Sequence, residues 1–237
     1  MSVTHGTDNI HSGLVFCFDG KNIKTTSDSG INFGSARGSL VKNNVTYTSN
    51  YGGGYVFAGD NSSYIDITTQ QLITTNDYTC EAWWLNYGLS PTNRNYGVLF
   101  GNYGPGFSGT SQVWFFVAGL WHGGGYGYAS GISPEATAEL SGTGYNGTKY
   151  GVVCHTISTK QGSYYKTWIN GVLVADNPSG ANNSVATNVN WRIGCDVNST
   201  NAEALGGEIY FARAYNRALT TAEVLDNYNS TKYRFGY

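Results

Sequence analysis

Tyr165-Lys166-Thr167-Trp168-Ile169-Asn170-Gly171-Val172-Leu173-Val174-Ala175 sets β-branched and aromatic residues on both sides of one Asn-Gly pair. Asn and Gly are the residues that best accept the positive φ angles of a type I′ turn. Tyr165 to Ile169 and Val172 to Ala175 are therefore predicted to form a hairpin. Outward from it, short runs with the same chemistry recur along the chain. Predicted strands are Leu14 to Asp19, Gly54 to Phe57, Tyr64 to Ile67, Tyr78 to Leu85, Val98 to Gly101, Val113 to Ala118, Gly151 to Ser158, Trp191 to Cys195 and Glu208 to Tyr215. One helix is predicted to begin near Thr220. That residue and Glu223 have capping-box spacing, and Ala222, Leu225 and Tyr228 then fall on one apolar face.

Composition agrees with an all-β chain. Only 12% of the 237 residues are charged, against about 25% in an average globular protein, while 40% are hydrophobic and 15% aromatic. Such a chain has the apolar surface to fold rather than stay disordered. The 33 glycines and 19 tyrosines, against one Met and four prolines, suit short strands and turns better than a helical bundle. No linker-like stretch divides the sequence, so residues 1–237 are read as one domain with short docked termini. Two regions read as irregular: Gly20 to Gly53, with weak strands, and Gly119 to Gly147.

Several partners are disfavoured. The 13 basic residues are dispersed and the net charge is −2, which gives no electrostatic footprint for nucleic acid or an anionic membrane. No run approaches the ~20 apolar residues of a membrane span, and Met1 to Gly13 lacks the pattern of a signal peptide. The expectation is a protein made in soluble form, in which sequons such as Asn44-Val45-Thr46 stay unused. Cys17, Cys80, Cys154 and Cys195 sit singly in apolar runs and are expected to be buried free thiols.

The chemistry in the sequence is sparse. Gly104 to Gly109 and Gly142 to Gly147 satisfy G-x-G-x-x-G, but neither is followed by a helix to meet a pyrophosphate, and no nucleotide site is expected. His5, His11, His122 and His155 lack metal-ligand spacing. His155 shares a strand face with Val153 and Ile157, which favours a packed structural histidine. No G-x-S-x-G elbow is present. Glu81 and Glu208 each stand alone in a strand, whereas glycosidase chemistry requires two facing carboxyl groups; each is read as a sheet-edge or hydrogen-bonded residue. Asp60-Asn61 and Asp196-Val197-Asn198 offer oxygen ligands suited to calcium, yet Asp and Asn also make turns, and the turn is the favoured reading. Neither a metal nor another cofactor is predicted. Trp121, Tyr126 and Tyr128, set among glycines, are the candidates for stacking on sugar.

Together several segments resemble the laminin-G-like, or concanavalin A-like, jelly-roll family over about Gly13 to Asn229. Gly13-Leu14-Val15-Phe16 is similar to its opening strand. Gly54 to Asp60, followed by Tyr64-Ile65, resembles its F-D-G segment, with Ala58 where an aspartate often stands. Tyr78-Thr79-Cys80-Glu81-Ala82-Trp83 resembles its central T-x-E-x-W strand. Tyr165 to Gly171 looks like its Y-x-N-G hairpin, and Gly207-Glu208-Ile209 through Leu219-Thr220 to Glu223 its closing strand and helix.

The resemblance implies a two-sheet antiparallel jelly-roll sandwich with one short C-terminal helix. The family includes lectins, glycosidases, adhesion modules and virion proteins, so fold alone does not transfer an activity. The E-x-D-x-x-E strand of its glycosidases is absent, and no enzyme is expected. Asn227 to Tyr237 looks most like laminin-G-like domains in structural proteins of tailed bacteriophages. The expectation is a non-enzymatic virion protein, a head decoration or fibre component. Its expected partners are other virion proteins, copies of itself in a homo-oligomer, and host-surface glycans. A soluble carbohydrate-binding module serving an enzyme is the alternative, and a divergent glycoside hydrolase the third. Low charge with many aromatics predicts an exposed interface, assigned to the Trp121 to Tyr128 loop or to Tyr233, Arg234, Phe235 and Tyr237. Deleting Tyr233 to Tyr237 is then expected to weaken assembly and spare most of the sandwich.

Overall fold

A computed structural model describes residues 12–22, 30–31, 35, 38–68, 72–87, 96–102, 114–118, 129–133, 151–178, 191–195 and 204–237. The described strands are β1 (Leu14–Asp19), β2 (Gly30–Ile31), β3 (Ser39–Asn43), β4 (Thr46–Thr48), β5 (Gly54–Ala58), β6 (Tyr64–Ile67), β7 (Tyr78–Asn86), β8 (Tyr96–Gly101), β9 (Trp114–Ala118), β10 (Ala129–Ser133), β11 (Val153–Gln161), β12 (Tyr164–Ile169), β13 (Val172–Asn177), β14 (Trp191–Ile193) and β15 (Gly206–Tyr215), followed by helix α1 (Thr221–Thr231). They form two antiparallel sheets, as the alternation and the Asn-Gly hairpin predict. The eight-stranded sheet runs β13-β12-β11-β7-β15-β5-β4, with β1 also on β15, and the seven-stranded sheet runs β10-β9-β8-β14-β6-β3-β2.

The predicted turn is present, with φ of 48° at Asn170 and 78° at Gly171. Asn170 also ties the hairpin to β11: its amide N–H donates to the His155 carbonyl at 2.9 Å, and its Oδ1 accepts from the His155 N–H at 2.8 Å. Strand β10 lies within the stretch read as irregular and pairs with β9. Its Ala129-Ser130-Gly131-Ile132-Ser133 sequence lacks alternation, and among the described residues it is the outermost strand of the sheet, paired on one side.

Alternation on β7 sorts the two faces. Cys80, Ala82 and Trp84 join Ile209, Ala212 and Ala214 in the sandwich core, against Ile65, Ile67, Phe100, Trp191 and Ile193 of the other sheet. Glu81, Trp83 and Leu85 therefore point to the outer face of the eight-stranded sheet. That face is roofed by α1 and a 3-10 turn over Lys232–Phe235. Val153, Trp83, Leu85, Tyr210 and Phe235 pack in one cluster there, and Ile157, Trp168, Tyr215, Leu219 and Val224 in a second.

The capping box of α1 is as predicted: Thr220 accepts from the Glu223 N–H and Glu223 reaches back to Thr220. Its buried face is not. Ala222 and Leu225 are exposed, and Val224 and Asn227 face the sheet, with Tyr228 half-buried. An asparagine occupies the centre of the inward stripe because the sheet beneath it buries a carboxylate, so the stripe does not read as apolar in sequence. The four cysteines are buried free thiols, as expected. Burial pushes the Cys154 thiol up to about 12 and the Cys80 thiol well above its ordinary value.

Candidate functional site

Several predicted site residues fall outside the described residues: Trp121, Tyr126 and Tyr128, Asp196 and Asn198, and both G-x-G-x-x-G stretches. Asp60 is described, and it makes a turn. Its Oδ1 accepts from the Ser62 N–H at 2.9 Å and from the Ser62 hydroxyl at 2.8 Å, while Asn61 beside it is exposed. Among the described residues no three or more His, Cys, Asp or Glu side chains gather where they could hold a metal ion.

The tail residues divide. Phe235 is buried, stacked on Trp83 with ring centroids 4.0 Å apart. Arg234 donates to Asp19 Oδ1 at 2.7 Å, to the Tyr51 carbonyl at 2.6 Å and to the Gly53 carbonyl at 2.9 Å. Tyr237 donates its hydroxyl to the Val153 carbonyl at 2.5 Å and remains 40% exposed. Tyr233, 78% exposed, is the tail ring that projects from the surface. Deleting Tyr233 to Tyr237 would therefore also take the Phe235 ring off Trp83, a packing role that the sequence reading does not include.

Glu81 sits at the centre of the outer face, not at a sheet edge. Its cross-strand partners are Ile157 on β11 and Arg213 on β15, and His155 joins the same face two residues from Ile157. Glu81 Oε1 meets His155 Nε2 at 3.0 Å, and Oε2 accepts from Asn227 Nδ2 at 3.0 Å with Arg213 Nη1 3.7 Å away. The group is sealed, with Glu81 0% and His155 1% exposed. Burial works to raise the Glu81 pKa, but the Arg213 guanidinium, then His155 and Asn227, outweigh it and hold the carboxyl below its ordinary value. An anion enclosed by a cation and two hydrogen-bond partners anchors the helix. Its carboxylate is closed to solvent.

Glu208 lies on the same outer face of β15, opposite Leu85 on β7 and Val56 on β5. Its carboxylate accepts from Asn50 Nδ2 at 3.3 and 3.4 Å and, through a short hydrogen bond, from the Tyr87 hydroxyl. Burial, and after it the bond to Glu208, push the Tyr87 phenol well up, and the Tyr210 phenol next to it likewise. Unlike the surroundings of Glu81, this end of the sheet is open: Tyr51 and Tyr87 are each 41% exposed. Tyr51 packs edge-on against Tyr210 at 5.2 Å and tilted against Phe235 at 5.6 Å.

Sequence reasoning did not select Asn50, Tyr51, Tyr87 or Tyr210. One usable signal was Asn50-Tyr51-Gly52-Gly53, an aromatic residue among turn formers directly before β5. The other was Tyr87, one residue past the end of β7.

A sandwich of two antiparallel sheets, roofed on one side by its own C-terminal helix and carrying an open aromatic rim, has the architecture of a concanavalin A-like jelly roll. A laminin-G-like family profile, described as the concanavalin A-like lectin/glucanases superfamily, matches residues 58–225, and the chain belongs to that superfamily. No characterised protein matches it significantly by sequence. Among solved structures it is similar to domain 4 of AbnA, an extracellular GH43 arabinanase from Geobacillus stearothermophilus, solved with arabinotriose. Identity is 21%, the TM-score is 0.64, and the match covers 92% of this chain and 99% of that one. The botulinum neurotoxin serotype D binding domain matches at 10% identity and a TM-score of 0.63 over 93% of this chain. The binding domain of botulinum neurotoxin DC, in complex with SialylT, matches at 10% and 0.58 over 94%. This chain spans about half the length of those two toxin chains, 51% and 52%.

Proposed function

We propose that this chain is a non-enzymatic carbohydrate-binding jelly roll. The observation that carries the reading is the fate of the two glutamates that could have served a glycosidase. Glu81 is neutralised and sealed beneath α1, and Glu208 is occupied by Asn50 and Tyr87, so neither is poised as a general acid or nucleophile. Membership of the superfamily and the likeness to a domain solved with arabinotriose support a glycan as the partner.

The finer setting we propose is a bacteriophage virion, with the chain as a homo-oligomeric head decoration or fibre component that meets host-surface glycans. Its support is the low charge content together with the tail from Asn227 to Tyr237. A second reading, a carbohydrate-binding module serving an enzyme, is favoured by the near end-to-end likeness to one domain of an arabinanase.

The test is a glycan array read beside a reducing-sugar assay on arabinan, laminarin, agar, alginate and host polysaccharide. Binding without release of reducing ends is expected. Release that Glu81→Gln abolishes overturns the non-enzymatic reading, and an array without a single bound glycan overturns the binding role. The polypeptide in purified particles supports the virion setting; a chain that binds glycan but never attaches to particles favours the enzyme module.

A further inference from the structure

Resting on the carbohydrate-binding reading, we propose that the glycan site is the rim of the eight-stranded sheet bordered by Tyr51, Tyr87 and Tyr237, and that its ligand is a neutral oligosaccharide. These three half-exposed rings lie at one end of the sheet's outer face. Tyr237 stands over the start of β11, bonded to the Val153 carbonyl. Tyr87 follows β7, its N–H donating to the Gly206 carbonyl at 2.8 Å, and Tyr51 rests on Tyr210 of β15 directly before β5. In the sheet order β11-β7-β15-β5 the row crosses three strand spacings, about 14 Å at ordinary strand separation. That length suits a short chain of sugars better than a single ring.

Rings exposed on one side and fastened on the other are what stacking on a sugar face requires. Tyr87 is held by its hydroxyl on Glu208 and Tyr237 by its hydroxyl on Val153, so little side-chain freedom is left to lose on binding. Tyr51 is held by its backbone. It adopts φ 49° and ψ 34°, a left-handed conformation that disfavours a bulky residue and tends to mark functional sites. Arg234 fixes it there through the Tyr51 and Gly53 carbonyls.

Charge selects the ligand class. Glu208 is the carboxylate of this rim, and the neighbouring guanidinium of Arg234 is already engaged by Asp19 and two carbonyls. Glu208 is 3% exposed and lies beneath the rings, so a sialylated or uronic sugar would not touch it but would be stacked over a buried anion while the neighbouring guanidinium is already engaged, whereas neutral hydroxyls incur no such repulsion.

The experiment measures binding of arabinotriose, cellotriose, triacetylchitotriose and a sialylated trisaccharide to the full chain by calorimetry, with melting curves for each variant. The expected result is binding of at least one neutral trisaccharide in preference to the sialylated one. It should weaken at least tenfold in Tyr87→Ala and only two- to threefold in Tyr87→Phe, which keeps the ring, with both variants folded. Binding unchanged in Tyr87→Ala but lost in Trp121→Ala overturns the rim and leaves the carbohydrate-binding reading standing. Preference for the sialylated sugar overturns the ligand class. A wild-type chain that binds no trisaccharide, and no glycan on the array, fails the broader reading itself.

Discussion

Glu81 and Glu208 lie on the same face of the same sheet, on neighbouring strands, and differ in what covers them. Around Glu81 stand Asn227 of α1, the Arg213 guanidinium and the His155 ring. Glu208 is covered by other groups, and its donors are the Asn50 amide and the phenol of the 41% exposed Tyr87. A buried carboxylate opposite a buried guanidinium fixes a structure, because loss of either partner strands a charge in a low-dielectric interior. Glu208 is also buried, at 3% exposure, but it is met by neutral donors instead of a guanidinium, so it fixes their orientation. The same residue type is thus an anchor at the centre and a ring-holder at the rim.

The sharpest way to break this comparison is Glu81→Ala, which strands Arg213. It should cost about 3–5 kcal/mol in chemical denaturation; a cost no greater than that of removing Glu208 would mean that the two sites are alike. Next comes Gly171→Val at the hairpin tip beneath the roof. The turn needs positive φ, and a Cβ at Gly171 would stand 2.7 Å from the Tyr228 ring. A loss of about 3 kcal/mol is expected, and an unchanged denaturation midpoint would show that α1 does not press on this turn.

On the helix, Val224→Ala should cost about 1–2 kcal/mol at ~0.8 kcal/mol per buried CH2, while Leu225→Ala should stay within about 0.5 kcal/mol. Thermal melts that reverse this order would place the opposite face of α1 on the sheet. Glu208→Gln, at the rim, should cost only about 1 kcal/mol, the worth of one ordinary hydrogen bond. A larger loss in urea would show that the rim is structurally as demanding as the centre.

The smallest effect concerns acid. The bidentate Arg217 pair, aided by Thr220, holds the Glu223 carboxyl at about 2, below its ordinary 4.5. Its contribution is therefore complete above about pH 4.5 and is lost as pH falls toward 2. Glu223→Gln should lower stability near neutrality and flatten that acid limb, with Glu81, also held low, supplying the remainder. An acid limb that keeps its full slope in Glu223→Gln would assign the whole effect to the centre.

Legibility in the sequence followed locality. The Asn170-Gly171 turn, the Thr220/Glu223 box and the alternation of β7 are written in adjacent residues, so each was readable. The inward face of α1 was not, since Asn227 is favourable there only because Glu81, far away in sequence, lies under it. The rim was hidden for the same reason: Tyr51, Tyr87 and Tyr237 are far apart in the chain, and the pairing of β7 with β11 and β15, and of β15 with β5, brings them to one end of the sheet. Trp121, Tyr126 and Tyr128 drew attention as a local cluster among glycines. Of the tail residues that looked like an external anchor, Phe235 packs on Trp83 and Arg234 pairs with Asp19, while Tyr233 projects from the surface.

Strand β15 also imposes an order of events during synthesis. It is the last strand of the chain, yet it lies between β7 on one side and β5 and β1 on the other. Leu14 waits for Tyr215, so the closing contacts span nearly the whole sequence and the loop-closure entropy is met late. Until Gly206 to Tyr215 leaves the ribosome, β7 and β5 face each other across a missing strand with open backbone edges. That interval is when a nascent chain of this topology is most exposed to pairing with its neighbours.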